Sequence, residues 1–124
     1  MKSESVWIDT GPAQPARSRL QGRVRADVAV LGGGIVGITT ALLLGEEGVD
    51  VVLVEAAGLA RGVTGHTTAK VTSQHGMIYS RLRSRFGADG ARAYAAANEA
   101  GLAWVAERAD RDGIECDFRR RPAY

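Results

Sequence analysis

Apolar residues fall into three periodicities along this chain. Residues 27–31 (Asp-Val-Ala-Val-Leu) and 49–54 (Val-Asp-Val-Val-Leu-Val) are short and almost wholly apolar. That is the signature of parallel strands buried on both faces. Between them Ile38, Ala41, Leu42 and Gly45 recur at helical spacing, and Gly48 supplies a C-terminal stop. The pattern predicts a strand over Asp27–Leu31, a helix from Gly34 or Ile35, and a second strand over Val49–Val54. Further on, Ile78–Phe86 reads as a short basic helix and Asp89–Asp112 as a long one. The long helix carries Tyr94, Asn98, Leu102, Val105 and Ala109 along one face, and its alanines favour helix. Gly113 ends it, and Glu115–Arg120 reads as a strand. Residues 67–76 are expected to form a short helix leading into a turn. Residues 1–25, with Pro12, Pro15 and several arginines, form an extended arm pinned by Trp7. The fold class is α/β, a Rossmann-like βαβ unit followed by helices on an incomplete parallel sheet.

The link between the first strand and its helix carries the chemistry. Gly32-Gly33-Gly34-Ile35-Val36-Gly37 satisfies G-x-G-x-x-G through Gly32, Gly34 and Gly37. Gly32 permits the sharp turn, Gly34 lets a pyrophosphate approach bare backbone, and Gly37 lets helix and strand pack closely. The unpaired amides of Ile35 and Val36, at the positive end of the helix dipole, are expected to donate to phosphate. Glu55 ends the second strand about 20 residues beyond the turn, where this motif puts a ribose-binding carboxylate. A carboxylate there would repel a 2′-phosphate, so a non-phosphorylated dinucleotide is favoured. A strand-ending acidic residue is otherwise an ordinary solvated loop residue; the glycines before it tip the reading.

Composition narrows the alternatives. The 124 residues suffice for one small domain, and the net charge is only +2 with scattered arginines. Arg119-Arg120-Arg121 lacks aromatic interleaving, so nucleic acid is not an expected partner. Cys116 is the only cysteine, which excludes an internal disulfide and a cysteine-based metal cluster. No stretch has the length of a membrane span, and the N-terminus lacks a signal peptide's apolar core. The expected location is the cytoplasm, with no membrane partner.

After Glu55 the chain does not continue as helix and strand. It runs through a loop rich in glycine and threonine, ending Thr64-Gly65-His66-Thr67-Thr68-Ala69-Lys70. Residues 26–76 together resemble the flavin-dependent oxidoreductases of the glycine oxidase and D-amino acid oxidase type. Ser5-Val6-Trp7, Thr64–Lys70 and Gln74-His75-Gly76 are similar to a bacterial subgroup in which a Rieske iron–sulfur domain is often fused behind the flavin enzyme. The resemblance implies FAD as cofactor and a small amine or amino acid as substrate of the complete enzyme. It implies that Gly32, Gly34, Ile35, Val36 and Gly37 hold the pyrophosphate, and that Glu55 holds the adenosine ribose with Ala56 beside it. Thr64, Gly65, Thr67 and Thr68 would lie along the pyrophosphate and ribitol. His75 would either approach the flavin ring or be a surface histidine in a turn.

Residues 26–124 are then expected to be the N-terminal part of a FAD-binding domain whose substrate domain is absent. Three functions follow: the FAD-binding portion of an oxidoreductase, a nicotinamide-dinucleotide domain, or a fragment without activity. In each, an uncovered sheet edge or helix face would be where another segment or chain associates. Weak or absent FAD retention by the 124 residues alone is expected.

Overall fold

The computed structural model describes residues 4–122, which divide between Thr68 and Ala69 into two units. The first begins with one turn of helix, α1 (Val6–Asp9), and an extended arm. β1 (Val28–Leu31), α2 (Ile35–Glu46) and β2 (Val51–Val54) follow, then a single 3₁₀ turn at Val63–His66. β1 and β2 pair in parallel, Val28 opposite Val51 and Leu31 opposite Val54, and α2 packs on both strands. The pairing runs past the strands: the Gly32 amide donates to Val54 O at 2.8 Å. The glycine turn is therefore tied to the end of β2, at the residue directly before Glu55.

The end of α2 shows why the strand–helix–strand reading works from sequence. Gly48 adopts φ 79°, its amide bonds Gly45 O at 3.0 Å, and the Val49 amide bonds Leu44 O at 3.0 Å. This is a Schellman cap, which satisfies carbonyls left over by the last turn and redirects the chain toward β2.

Burial departs from expectation. β2 is half-buried at all four positions, and no apolar side chain among the described residues is fully buried. Among the described residues the sheet has two strands, so each is also an edge. Leu31, Ile35 and Val36, around the glycine turn, are 81%, 64% and 76% exposed.

The second unit is built on α3 (Ile78–Arg111), interrupted at Gly87, whose φ of 74° and ψ of 179° are not helical. The helical stretches 78–86 and 88–111 match the two helices read from sequence. Gly113 (φ 60°) closes the second with the same cap, the Ile114 amide bonding Ala109 O at 2.8 Å. Two expectations fail here. Residues 67–76 form no helix, because side chains take over the hydrogen bonding. Thr72 Oγ1 accepts from the Gln74 amide, and Tyr79 Oη donates to Ser73 O at 2.5 Å. Residues 115–120 form no strand. Asp117 takes φ 52°, which breaks the extended run, and Arg120 instead pairs with Glu99 at 3.1 Å.

Candidate functional site

The glycine turn, the start of α2 and the loop after β2 meet at the C-terminal edge of the two parallel strands. Open α/β sheets bind ligands at this edge. Gly32 has φ 103°, a conformation that favours glycine. At Gly37 an added Cβ would lie 2.0 Å from Gly32 O, so this position keeps α2 tight against the turn.

Glu55 is the hub of the arrangement. Its Oε2 accepts from the Gly33 amide at 2.5 Å and its Oε1 from the Ala57 amide at 2.8 Å. The Ala57 amide first, and the Gly33 amide next, hold its carboxyl below the ordinary carboxylate range. Each oxygen keeps a further lone pair for another donor, such as a ribose hydroxyl. The same loop returns to the turn, the Ala60 amide donating to Gly33 O at 2.7 Å. The turn and the carboxylate thus form one hydrogen-bonded unit.

At the helix N-terminus the Ile35 amide is taken by Thr64 Oγ1 at 2.9 Å. The threonine loop therefore caps α2, since Gly34 at the cap position has no side chain to do so. Because Thr64 Oγ accepts this bond, its own proton is available to an anion, together with the Val36 amide of the first turn. An added Cβ on Gly34 would meet nothing closer than Thr64 Oγ1, at 3.4 Å. Bare backbone, a hydroxyl and helix-end amides around this point make a donor set suited to a phosphate oxygen.

Gly32, Gly34, Ile35, Val36, Gly37, Glu55, Ala56 and Thr64 are brought together around this edge. Gly65 is buried beneath it, where an added Cβ would lie 2.2 Å from Ala60 O and 3.0 Å from Ile8 Cδ1, so it shapes the loop's backbone. Thr67 and Thr68 are exposed, and Thr67 O accepts the indole N–H of Trp7 at 2.7 Å. Trp7 pins the arm, as expected. His75 lies in the second unit, exposed, with Nδ1 2.9 Å from Tyr94 Oη.

Sequence reasoning missed Gly33 and Ala57, whose amides hold Glu55. The motif leaves Gly33 unspecified, yet it is buried, and an added Cβ there would lie 2.6 Å from Leu59 Cδ2 and 3.1 Å from Glu55 Cγ. Its neighbours lie 22 residues away or more, and no local pattern reports them. Among the described residues there is no cluster of His, Cys, Asp and Glu that could hold a metal ion, and no helix is long and apolar enough to cross a membrane.

Residues 27–124 match the family model described as FAD dependent oxidoreductase. The chain is 41% identical over 121 residues to the protein named "Putative Rieske 2Fe-2S iron-sulfur protein YhfW" of Bacillus subtilis (strain 168), covering 98% of this chain and 24% of that protein. It is 32% identical over 96 residues to the gamma-glutamylputrescine oxidoreductase of Escherichia coli (strain K12), covering 77% of this chain and 22% of that one. The chain thus spans about a quarter of the length of these curated relatives. No solved structure gives a significant match. With an α/β unit of this kind and a family model matching nearly all of the sequence after the arm, the chain belongs to the FAD-dependent oxidoreductase family.

Proposed function

We propose that this chain holds the pyrophosphate and adenosine portion of FAD in an oxidoreductase that oxidises a small amine or amino acid. The observation that carries this reading is the Gly33–Glu55 hydrogen bond of 2.5 Å. It fixes the carboxylate against the glycine turn, so that a ribose on one and a pyrophosphate on the other belong to the same ligand. Gly32, Gly34, Val36 and Gly37 form the pyrophosphate site; the Ile35 amide, expected from sequence as a direct donor, is engaged by Thr64 Oγ1 and acts through that hydroxyl, whose proton is offered to the phosphate. Glu55 takes the ribose hydroxyls, with Ala56 beside it. Gly65, Thr67 and Thr68 carry the chain along the pyrophosphate and ribitol.

Bound FAD supplies the acceptor for a hydride leaving the carbon next to the substrate nitrogen. The residues of this chain bind and orient that cofactor. The substrate class rests on the relative named gamma-glutamylputrescine oxidoreductase, an amine oxidoreductase by its name.

The test is the visible absorption spectrum of the purified protein before and after adding FAD, alongside a titration with NAD. Little flavin is expected to stay with the protein through purification, while added FAD at high concentration gives a weak, saturable perturbation of the flavin band with no comparable NAD binding. Tight NAD binding without flavin uptake would overturn the reading in favour of a nicotinamide domain. Binding of neither dinucleotide would overturn it in favour of a fragment without activity.

A further inference from the structure

Between the arm, α2 and the end of β2 lies a cavity of about 1030 Å³. One wall is Ile38, Ala41 and residues 52–59, including Glu55; the opposite wall is residues 14–20 of the arm. Neither the glycine motif nor the threonine loop accounts for that second wall. The arm is fastened to the loop after β2 at three points. The Trp7 indole donates to Thr67 O at 2.7 Å, Gln14 Nε2 donates to Leu59 O at 2.7 Å, and Arg61 pairs with Glu4 at 3.3 Å. Ile8 also lies against Gly65. Every fastening lands on residues 59–67, the segment that also caps α2 through Thr64.

The cavity's chemistry is mixed in a particular way. Leu20, Ile38, Ala41 and Val54 are apolar, and Glu55 is the acceptor. Arg17 and Arg19 line the arm side, are exposed, and form no ion pair with another of the described residues. A concave, mostly apolar space with a few convergent polar groups is what a small ligand needs. A planar guanidinium stacks on an aromatic face more readily than a lysine ammonium does. A ribose on Glu55 would direct its base into this space.

We infer that residues 14–20 of the arm form the second wall of an adenosine subsite, and that Trp7 and Gln14 are positioning residues that hold this wall in place. The inference rests on the dinucleotide reading above and adds to it a set of residues N-terminal to the glycine motif. The arm in this account closes over the adenosine half of the ligand and leaves the flavin half untouched.

The experiment uses the full chain and two readouts, with ADP, FAD and FMN as probes. In the first, trypsin cleavage after Arg17 and Arg19 is followed with and without ADP. At ADP ten times its Kd, cleavage there slows by about tenfold, because a protease acts on the open, unliganded population. Cleavage after Arg119 and Arg120 is the internal control and stays unchanged. In the second, Trp7→Phe and Gln14→Ala each remove one hydrogen bond, and each weakens ADP and FAD binding by about three- to tenfold. FMN, which lacks adenosine, is affected equally little in all variants. A thermal unfolding curve for each variant separates lost positioning from lost folding: the Tm moves little while the Kd moves.

Wild-type protein that binds ADP or FAD while Arg17 and Arg19 stay unprotected, or while both variants bind as tightly as wild type, overturns the arm's role and leaves the dinucleotide reading standing. Wild-type protein that binds neither ADP nor FAD overturns the dinucleotide reading and the arm's role with it.

Discussion

Gly37→Ala and Gly45→Ala place the same methyl group on the same helix, and the structure predicts opposite outcomes. At Gly37 the new Cβ would lie 2.0 Å from Gly32 O and 3.1 Å from Gly32 C. Close carbon–oxygen contacts settle near about 3.3 Å, so α2 and the turn must separate by roughly 1.3 Å. Both partners are backbone, and neither can rotate away. Overpacking of this kind costs typically about 1–3 kcal/mol, and the rigid geometry puts Gly37→Ala at the upper end. At Gly45 an added Cβ meets nothing within 4 Å. There alanine improves helix propensity, for a gain of about 0.5–1 kcal/mol. Urea unfolding would be followed by tryptophan fluorescence in a Trp104→Phe background, so that Trp7 alone reports on the first unit. With a urea slope of about 1–3 kcal/mol/M, Gly37→Ala lowers the midpoint by about 1–2 M and Gly45→Ala raises it by a few tenths. A Gly37→Ala protein as stable as wild type would refute the close packing of turn and helix. A destabilised Gly45→Ala protein would refute the open space above that residue.

Three further outcomes follow from the hydrogen bonds at the strand ends. Thr64→Val removes the hydroxyl that caps Ile35 and costs about 1 kcal/mol, while Thr64→Ser retains the bond; hydrogen exchange at the Ile35 amide reads both, and equal exchange in the two variants would contradict the cap. Amide bonds depress the carboxyl of Glu55, so its contribution to the fold is present above the ordinary carboxylate value and is lost as pH falls through the lowered one. The Gly33 and Ala57 amide resonances should therefore titrate with a midpoint below the ordinary carboxylate range, and a midpoint at or above it would show that the bonds do not form in solution. Glu55→Gln keeps the shape but removes the anion and replaces one acceptor with a donor; ADP binding should weaken by about tenfold, as loss of a charge-assisted hydrogen bond implies, and unchanged affinity would place the ribose elsewhere.

The strand–helix–strand core and both helix stops were legible because each depends on local chemistry. Gly48 and Gly113 end helices by adopting a positive φ, and that demand is visible at a single position. The break at Gly87 was legible for the same reason, between two stretches each helical by pattern. Residues 115–120 misled because alternation alone marks a strand only when a partner exists to pair with it. Here Asp117 turns the chain, and Arg120 finds Glu99 across a long sequence separation. Within the site, Glu55 and the glycine turn could be named from spacing. The amides of Gly33 and Ala57 that hold the carboxylate could not, since every residue has an amide and only the folded loop decides which ones point inward. The arm's fastening was half legible: Trp7 could be named as its pin, whereas Gln14, which fastens it, and Arg17 and Arg19, which line the cavity, carried no distinguishing pattern.

The glycine turn, the start of α2 and Glu55 should together hold the pyrophosphate and ribose of one dinucleotide. This is tested most directly by mapping amide chemical-shift changes in the ¹⁵N-labelled protein as FAD is added. The largest changes are expected at Gly33, Gly34, Ile35, Val36 and Ala57, reproduced by ADP. Saturable FAD binding that leaves those amides unmoved, with its changes concentrated elsewhere in the chain, would contradict it.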